Sequence, residues 1–111
     1  MKAAQGIYNW QDTIVGTTVP AQAFQVTENG TAPAASLASA TAIFSKDGAT
    51  TITATVTITD ATLWKMTVAK ITKAQTIAAG IGIHQFELHT VDSNGVDDAY
   101  LAGTLPIIAH V

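Results

Sequence analysis

The chain has 111 residues, a size that suits one domain, and its 48% hydrophobic and 12% charged residues are the reverse of a disordered composition. It has no cysteine, which excludes a disulfide framework and a cysteine-ligated zinc site. Its five basic residues are all lysine and its net charge is −3, so the basic stripe and arginine forks of a nucleic-acid surface are missing.

The dominant period along the chain is two, the spacing of half-buried strands. Residues 1–12 are expected to form an N-terminal arm carrying Tyr8 and Trp10, with no secretory leader, since Lys2 is followed by Ala3, Ala4, Gln5 and Gly6. A first strand is predicted over 13–19 and a second, holding Phe24 and Val26, over 21–27; Pro20 between them cannot donate to a ladder. Glu28-Asn29-Gly30 supplies a turn, and Asn29-Gly30-Thr31 reads as that turn rather than as a glycosylation acceptor. Pro33 makes the Ala-rich stretch that follows an irregular connection rather than a helix. The next strand is predicted over 37–46, and Lys46-Asp47-Gly48 is a hairpin turn.

From Thr51 to Thr59 the alternation is unbroken, with threonine on one face and Ile52, Ala54, Val56 and Ile58 on the other. Beyond a weaker turn at Asp60-Ala61-Thr62, the alternation of Trp64, Met66 and Val68 with Lys65, Thr67 and Ala69 predicts another strand, with Trp64 in the core phase. Thr72-Lys73-Ala74-Gln75 has the form of a capping box and Gly80 follows it, predicting a short helical turn over 72–78. His84, Phe86, Leu88 and Thr90 alternate with Gln85, Glu87 and His89 as a further strand. Asp92-Ser93-Asn94-Gly95 turns the chain into the last strand, over about 99–109, where Pro106 marks an edge, bulge or strand end. These elements predict an all-β fold: an immunoglobulin-like β-sandwich of about seven antiparallel strands, one domain over 1–111. No apolar run approaches the roughly 20 residues of a membrane-spanning helix.

Residues with chemistry to offer are few. His84 and His89 are five apart and point to opposite faces of a strand, and His110 lies in the C-terminal tail, so the histidines read as packing residues rather than as ligands of one metal. The run Asp92 to Asp98 opens like a calcium loop. Its Gly95 is fourth rather than sixth, however, and Gly103 stands where the twelfth-position Glu belongs, which leaves an acidic hairpin. There is no Gly-x-Ser-x-Gly, no glycine-rich phosphate loop and no sign of paired catalytic carboxylates. No catalytic, cofactor-binding or metal-binding residue is expected.

The remaining candidates are surfaces for partners. Tyr8 and Trp10 precede the first strand; they either close one end of the core or anchor a partner chain, and Tyr100 joins them as a docking candidate. The face of Thr51, Thr53, Thr55 and Thr57 is long, uncharged and β-prone, so its strand is expected inside the sheet or covered by a neighbouring subunit. Residues 81–111 hold Glu87, Asp92, Asp97 and Asp98 and no lysine, an asymmetry that favours head-to-tail contacts between copies but that a chance scatter of few charges also produces.

The order of landmarks resembles the immunoglobulin-like module of bacteriophage tail and baseplate proteins, such as the N-terminal module of baseplate upper proteins. The matching residues are Trp10-Gln11-Asp12-Thr13 near the start, Leu37 to Lys46 as a strand ending in an aromatic and a basic residue, and Gly80 or Gly82 before His84, Phe86 and Leu88. The acidic turn Asp92 to Gly95 and the step Leu101-Ala102-Gly103 complete them. The chain departs from the pattern at His84, where an aromatic is usual, and at Gln11, where a glycine is usual. The resemblance implies a multi-copy structural protein of the virion, without a receptor-binding head, docked on other virion proteins of the tail or baseplate. Two alternatives stand beside it: a capsid decoration or head-fibre protein, and a carbohydrate-binding or adhesion β-sandwich with a glycan as its partner.

Overall fold

The computed structural model describes residues 6–27 and 30–109. In chain order its elements are β1 (Gly6–Ile7), β2 (Thr13–Ile14), β3 (Gln22–Gln25), β4 (Leu37–Lys46), β5 (Ala49–Asp60), β6 (Lys65–Val68), α1 (Lys73–Ala79), β7 (Gly82–Asp92) and β8 (Asp97–Ile108). The fold is all-β, and α1 is the short helical turn expected near 72–78. Its capping box is complete: the Thr72 hydroxyl accepts from the Gln75 N–H at 3.2 Å, and the Gln75 side chain accepts from the Thr72 N–H at 2.8 Å.

The strands form one curled sheet in the order β1-β8-β7-β4-β5-β6-β3, with β2 also on β8. Strand β5 belongs to both layers. Its first half pairs with β4 as far as Thr55, and its second half pairs with β6 from Val56 onward. One layer therefore reads β4-β7-β8 and the other β3-β6-β5, the two strand triplets of an immunoglobulin-like sandwich. All pairings are antiparallel except β1 and β2, which run parallel to β8. The layers meet through aromatic rings. Phe24 of β3 stacks on Phe86 of β7 at 6.3 Å, and Phe86 lies 5.1 Å from Phe44 of β4. Around them the inward phase of each strand is buried: Ala42 and Phe44, Ile52 and Ala54, Met66 and Val68, Phe86 and Leu88, Leu105 and Ile107.

The strand expected over 13–19 stops at Ile14. Gly16, at φ 82°, turns the chain, and the Thr17 N–H and hydroxyl both donate to the Ile14 carbonyl. The chain then crosses to the other layer, touching it through a bridge between Val19 and Ile71. Trp64 is in the core as expected but not in a strand. It sits at φ 55° in the turn before β6, a conformation that costs about 1–2 kcal/mol. Burying the indole and donating its N–H to the Ala35 carbonyl at 2.8 Å offset that cost. The turn predicted at Glu28-Asn29-Gly30 lies partly outside the described residues.

Pro106, expected at an edge, bulge or strand end, falls inside β8. The N–H of Thr104 and the carbonyls of Ala102, Thr104 and Ile108 face β1, β2 and the chain between them. Pro106 shares that phase, so its missing donor faces the stretch between β1 and β2 where ladder pairing is interrupted. The proline and the break in the pairing explain each other.

Candidate functional site

Residues 6–14 are not a free arm. The Tyr8 N–H donates to the Ala102 carbonyl and the Trp10 N–H to the Thr104 carbonyl, both at 2.8 Å. Asn9 Oδ1 accepts from the Thr104 N–H at 3.2 Å. These bonds hold the Trp10 ring in the core, where it meets Tyr8, Phe24, Phe44 and Phe86 edge-on with centroids 5.1–6.2 Å away. Trp10 is only 6% exposed, so its side chain closes the core, the first of its two sequence readings. Its indole N–H is buried and has no hydrogen-bond partner among the described residues.

Tyr8 is half-buried and lines a cleft of about 430 Å³ between the β1–β2 stretch and the segment leading into β3. Trp10, Asp12, Thr17, Pro20 and Gln22 are among the other residues that line it. The Tyr8 hydroxyl donates to Gln22 Oε1 at 3.2 Å across it. The side chain of Tyr100 lies outside the described residues.

The threonine row divides. Thr53, Thr55 and Thr57 are exposed on the outer face as expected, and across the ladder they oppose Ile43, Thr41 and Thr67. Thr51 leaves the row. The ladder steps from Phe44↔Ile52 to Ser45↔Thr50, which makes Thr51 the extra residue of a bulge. Its hydroxyl lies 2.8 Å from His84 Nδ1 and 3.2 Å from the Phe44 carbonyl. Thr51 is thus an internal hydrogen-bonding residue, a correction to its expected place on a docking face. Each half of the strand has a ladder on one side only: Ala49 to Thr55 pair with β4 and have α1 packed nearby, and Val56 to Asp60 pair with β6.

His84 is fully buried and occupied on both sides. Because the Gly80 carbonyl only accepts, Nε2 is the donor of the 2.9 Å bond between them, while Nδ1 lies 2.8 Å from the Thr51 hydroxyl that also donates to the Phe44 carbonyl. His84→Leu should lower stability by about 2–3 kcal/mol, because the Gly80 carbonyl loses its ring donor and the Thr51 hydroxyl keeps only the Phe44 carbonyl. Urea unfolding checks this, and a loss below about 0.5 kcal/mol would show that these bonds carry no stability.

His89 lies on the other face, with Nε2 3.6 Å from Glu87 Oε1. Among the described residues no three side chains of His, Cys, Asp or Glu gather as a metal site, and no helix is long and apolar enough to cross a membrane. The acidic run is the expected hairpin: Asp92 Oδ1 accepts from the Asn94 and Val96 N–H groups at 2.8 and 3.0 Å, with Gly95 at φ 79°.

One feature of the surface was not anticipated. Ile14, Ile77, Ile81, Ile83 and Ile108 are 39–61% exposed and lie at one end of the molecule. Ile14 pairs with Ile108, and Ile83 with Pro106, on the outer face. Ile77 on α1 reaches over Gly16. Ile83 occupies the outward phase of β7 with Gln85 and Glu87, and an isoleucine in a polar phase was the sequence signal for this patch. A scan against models of known protein families and searches of curated proteins and of solved structures each return no match.

Proposed function

We propose that this chain is a structural protein of a bacteriophage virion, a tail or baseplate module present in several copies that works by protein–protein docking. The observation that carries the docking part is the isoleucine patch. Five large apolar side chains facing solvent at one end of a small sandwich mark an interaction surface. The outer threonine face supports it, because an uncharged surface is covered by a neighbour without burying unpaired ions. The placement in a phage rests on the sequence resemblance.

Immunogold labelling of purified particles against this chain tests the reading: label on tail or baseplate supports it, label on the capsid points to a decoration protein, and unlabelled particles overturn it. Thr55→Lys places a charge in the threonine face and should leave unfolding within about 0.5 kcal/mol of wild type, as an exposed substitution does. Incorporation into particles should fall severalfold. Full incorporation of this variant would show that the threonine face is not covered.

A second reading, a carbohydrate-binding domain, has one observation in its favour. The cleft combines the Tyr8 ring with the Asp12 carboxylate and the Gln22 amide, a polar and aromatic lining that suits a sugar. Glycan-array binding that Asp12→Ala abolishes without changing the melting temperature would support it.

A further inference from the structure

We infer that the partner of the isoleucine patch is the opposite end of a second copy of this chain, so that copies join head to tail. The inference rests on the multi-copy assembly reading and names the contact it would use. The two ends are set apart by the long strands. From Ile83 to Val91 along β7 is about 26 Å, and the molecule is 47 Å long against 24 and 22 Å across.

At the patch end, the exposed Lys70 precedes α1 and the exposed Lys73 opens it. Lys46 folds over Gly82 and donates to the Ile81 carbonyl at 2.9 Å. Against these three lysines stand Asp12 and Asp47. At the far end the balance is reversed. Leu37 receives Asp92 as its ladder partner and donates its N–H to the Ala61 carbonyl, so the β7–β8 and β5–β6 turns lie side by side. They bring Asp60, Asp92, Asp97 and Asp98 together against Lys65 alone among the described residues. The same turns expose Val96 at 52% and Leu63 at 43%.

Each end therefore offers apolar side chains rimmed by charge, and the signs are opposite. Two like ends would place lysine against lysine or aspartate against aspartate. Unlike ends match both the apolar and the charged elements. A contact between different surfaces of identical subunits leaves one end free at each addition, so it builds a ring or an open column rather than stopping at a symmetric dimer.

Sedimentation of the full chain tests this. Wild type should exceed its 11.5 kDa monomer mass as concentration rises, and roughly tenfold higher salt should weaken the association severalfold. Ile83→Asp blocks the patch end and Asp97→Lys the acidic end; each alone should weaken self-association tenfold or more, since charge of the wrong sign meets its partner surface. Mixed together, the two variants should form a species of twice the chain mass and grow no further, because each contributes its intact end. Ile81→Asp and Val96→Lys repeat the test, with circular dichroism showing which variants are folded.

A wild-type chain that stays monomeric at millimolar concentration overturns the inference. So does association that survives in either blocked variant, or a mixture that does not pair. Particle labelling separates this from the broader reading: labelled particles with a monomeric chain would refute the head-to-tail contact and leave the virion role standing.

Discussion

Gly103→Ala should be the most damaging single-methyl change in this protein. A Cβ at position 103 falls on the backbone carbonyl of Tyr8 and within 3.1 Å of Asn9 Oδ1. Backbone cannot swing aside as a flexible side chain does, so the β1–β2 stretch must lift from β8. With it go the Tyr8 and Trp10 backbone bonds to Ala102 and Thr104 and the seating of both rings. The expected loss is about 4 kcal/mol or more, a fall in melting temperature of roughly 15 °C for a domain of this size. Tryptophan emission should shift to the red as Trp10 meets water. Gly48→Ala is the control. Nothing lies within 4 Å of its added carbon, so only its φ of 81° is strained, and it should lose about 1 kcal/mol. If the two alanine variants melt together, Tyr8 does not approach Gly103 as described.

Trp10→Ala should cost about 3–5 kcal/mol, the usual range for emptying an aromatic site in a core. Four rings lose their common partner: Tyr8, Phe24, Phe44 and Phe86. Trp10→Phe separates packing from polarity. It keeps an aromatic ring in the cluster and removes an indole N–H that is buried and unpartnered among the described residues, so it should lose less than half as much as alanine. Chemical unfolding of both variants measures the difference. Wild-type stability in Trp10→Ala would return this residue to the surface and to the docking role that its position before the first strand also allowed. The result bears on function as well, because a loss of glycan or partner binding in Trp10→Ala reports unfolding unless stability is measured alongside. Tyr8 and Asp12, which line the cleft, are the cleaner probes of that surface.

The difference between the two sequence readings of Trp10 shows what kind of information was missing. The alternation of Tyr8 and Trp10 is two residues long and precedes a broken strand, so no period identifies the buried face. Contact with Phe44 and Phe86, more than 30 residues away, decides it. Thr51 is a sharper case. Five threonines in perfect alternation predict one common face, and four of them, Thr53 to Thr59, keep to it. The bulge that turns Thr51 inward arises where β4 and β5 lose register, a property of the pair of strands rather than of either sequence. The isoleucine patch was legible only in part. Ile83 stands out of phase in its own strand, but Ile14, Ile77 and Ile108 come from three other segments, and only the closing of the sandwich brings them beside it.

The sequence by itself determined the local structure. Period-two alternation set most of the strands, Asp47-Gly48 and Asn94-Gly95 set two hairpins through positive φ, and Thr72 with Gln75 set the helix start. Those are interactions within a few residues, and residue type alone specifies them. The tertiary structure decided which strand serves both layers, why Pro106 is tolerated inside β8, where Trp10 lies, and that lysine outnumbers aspartate at the isoleucine end while aspartate outnumbers lysine at the other among the described residues. Each of these depends on the separation in space of residues far apart in the chain. Burial and charge balance are properties of that arrangement, and no run of neighbouring residues encodes them.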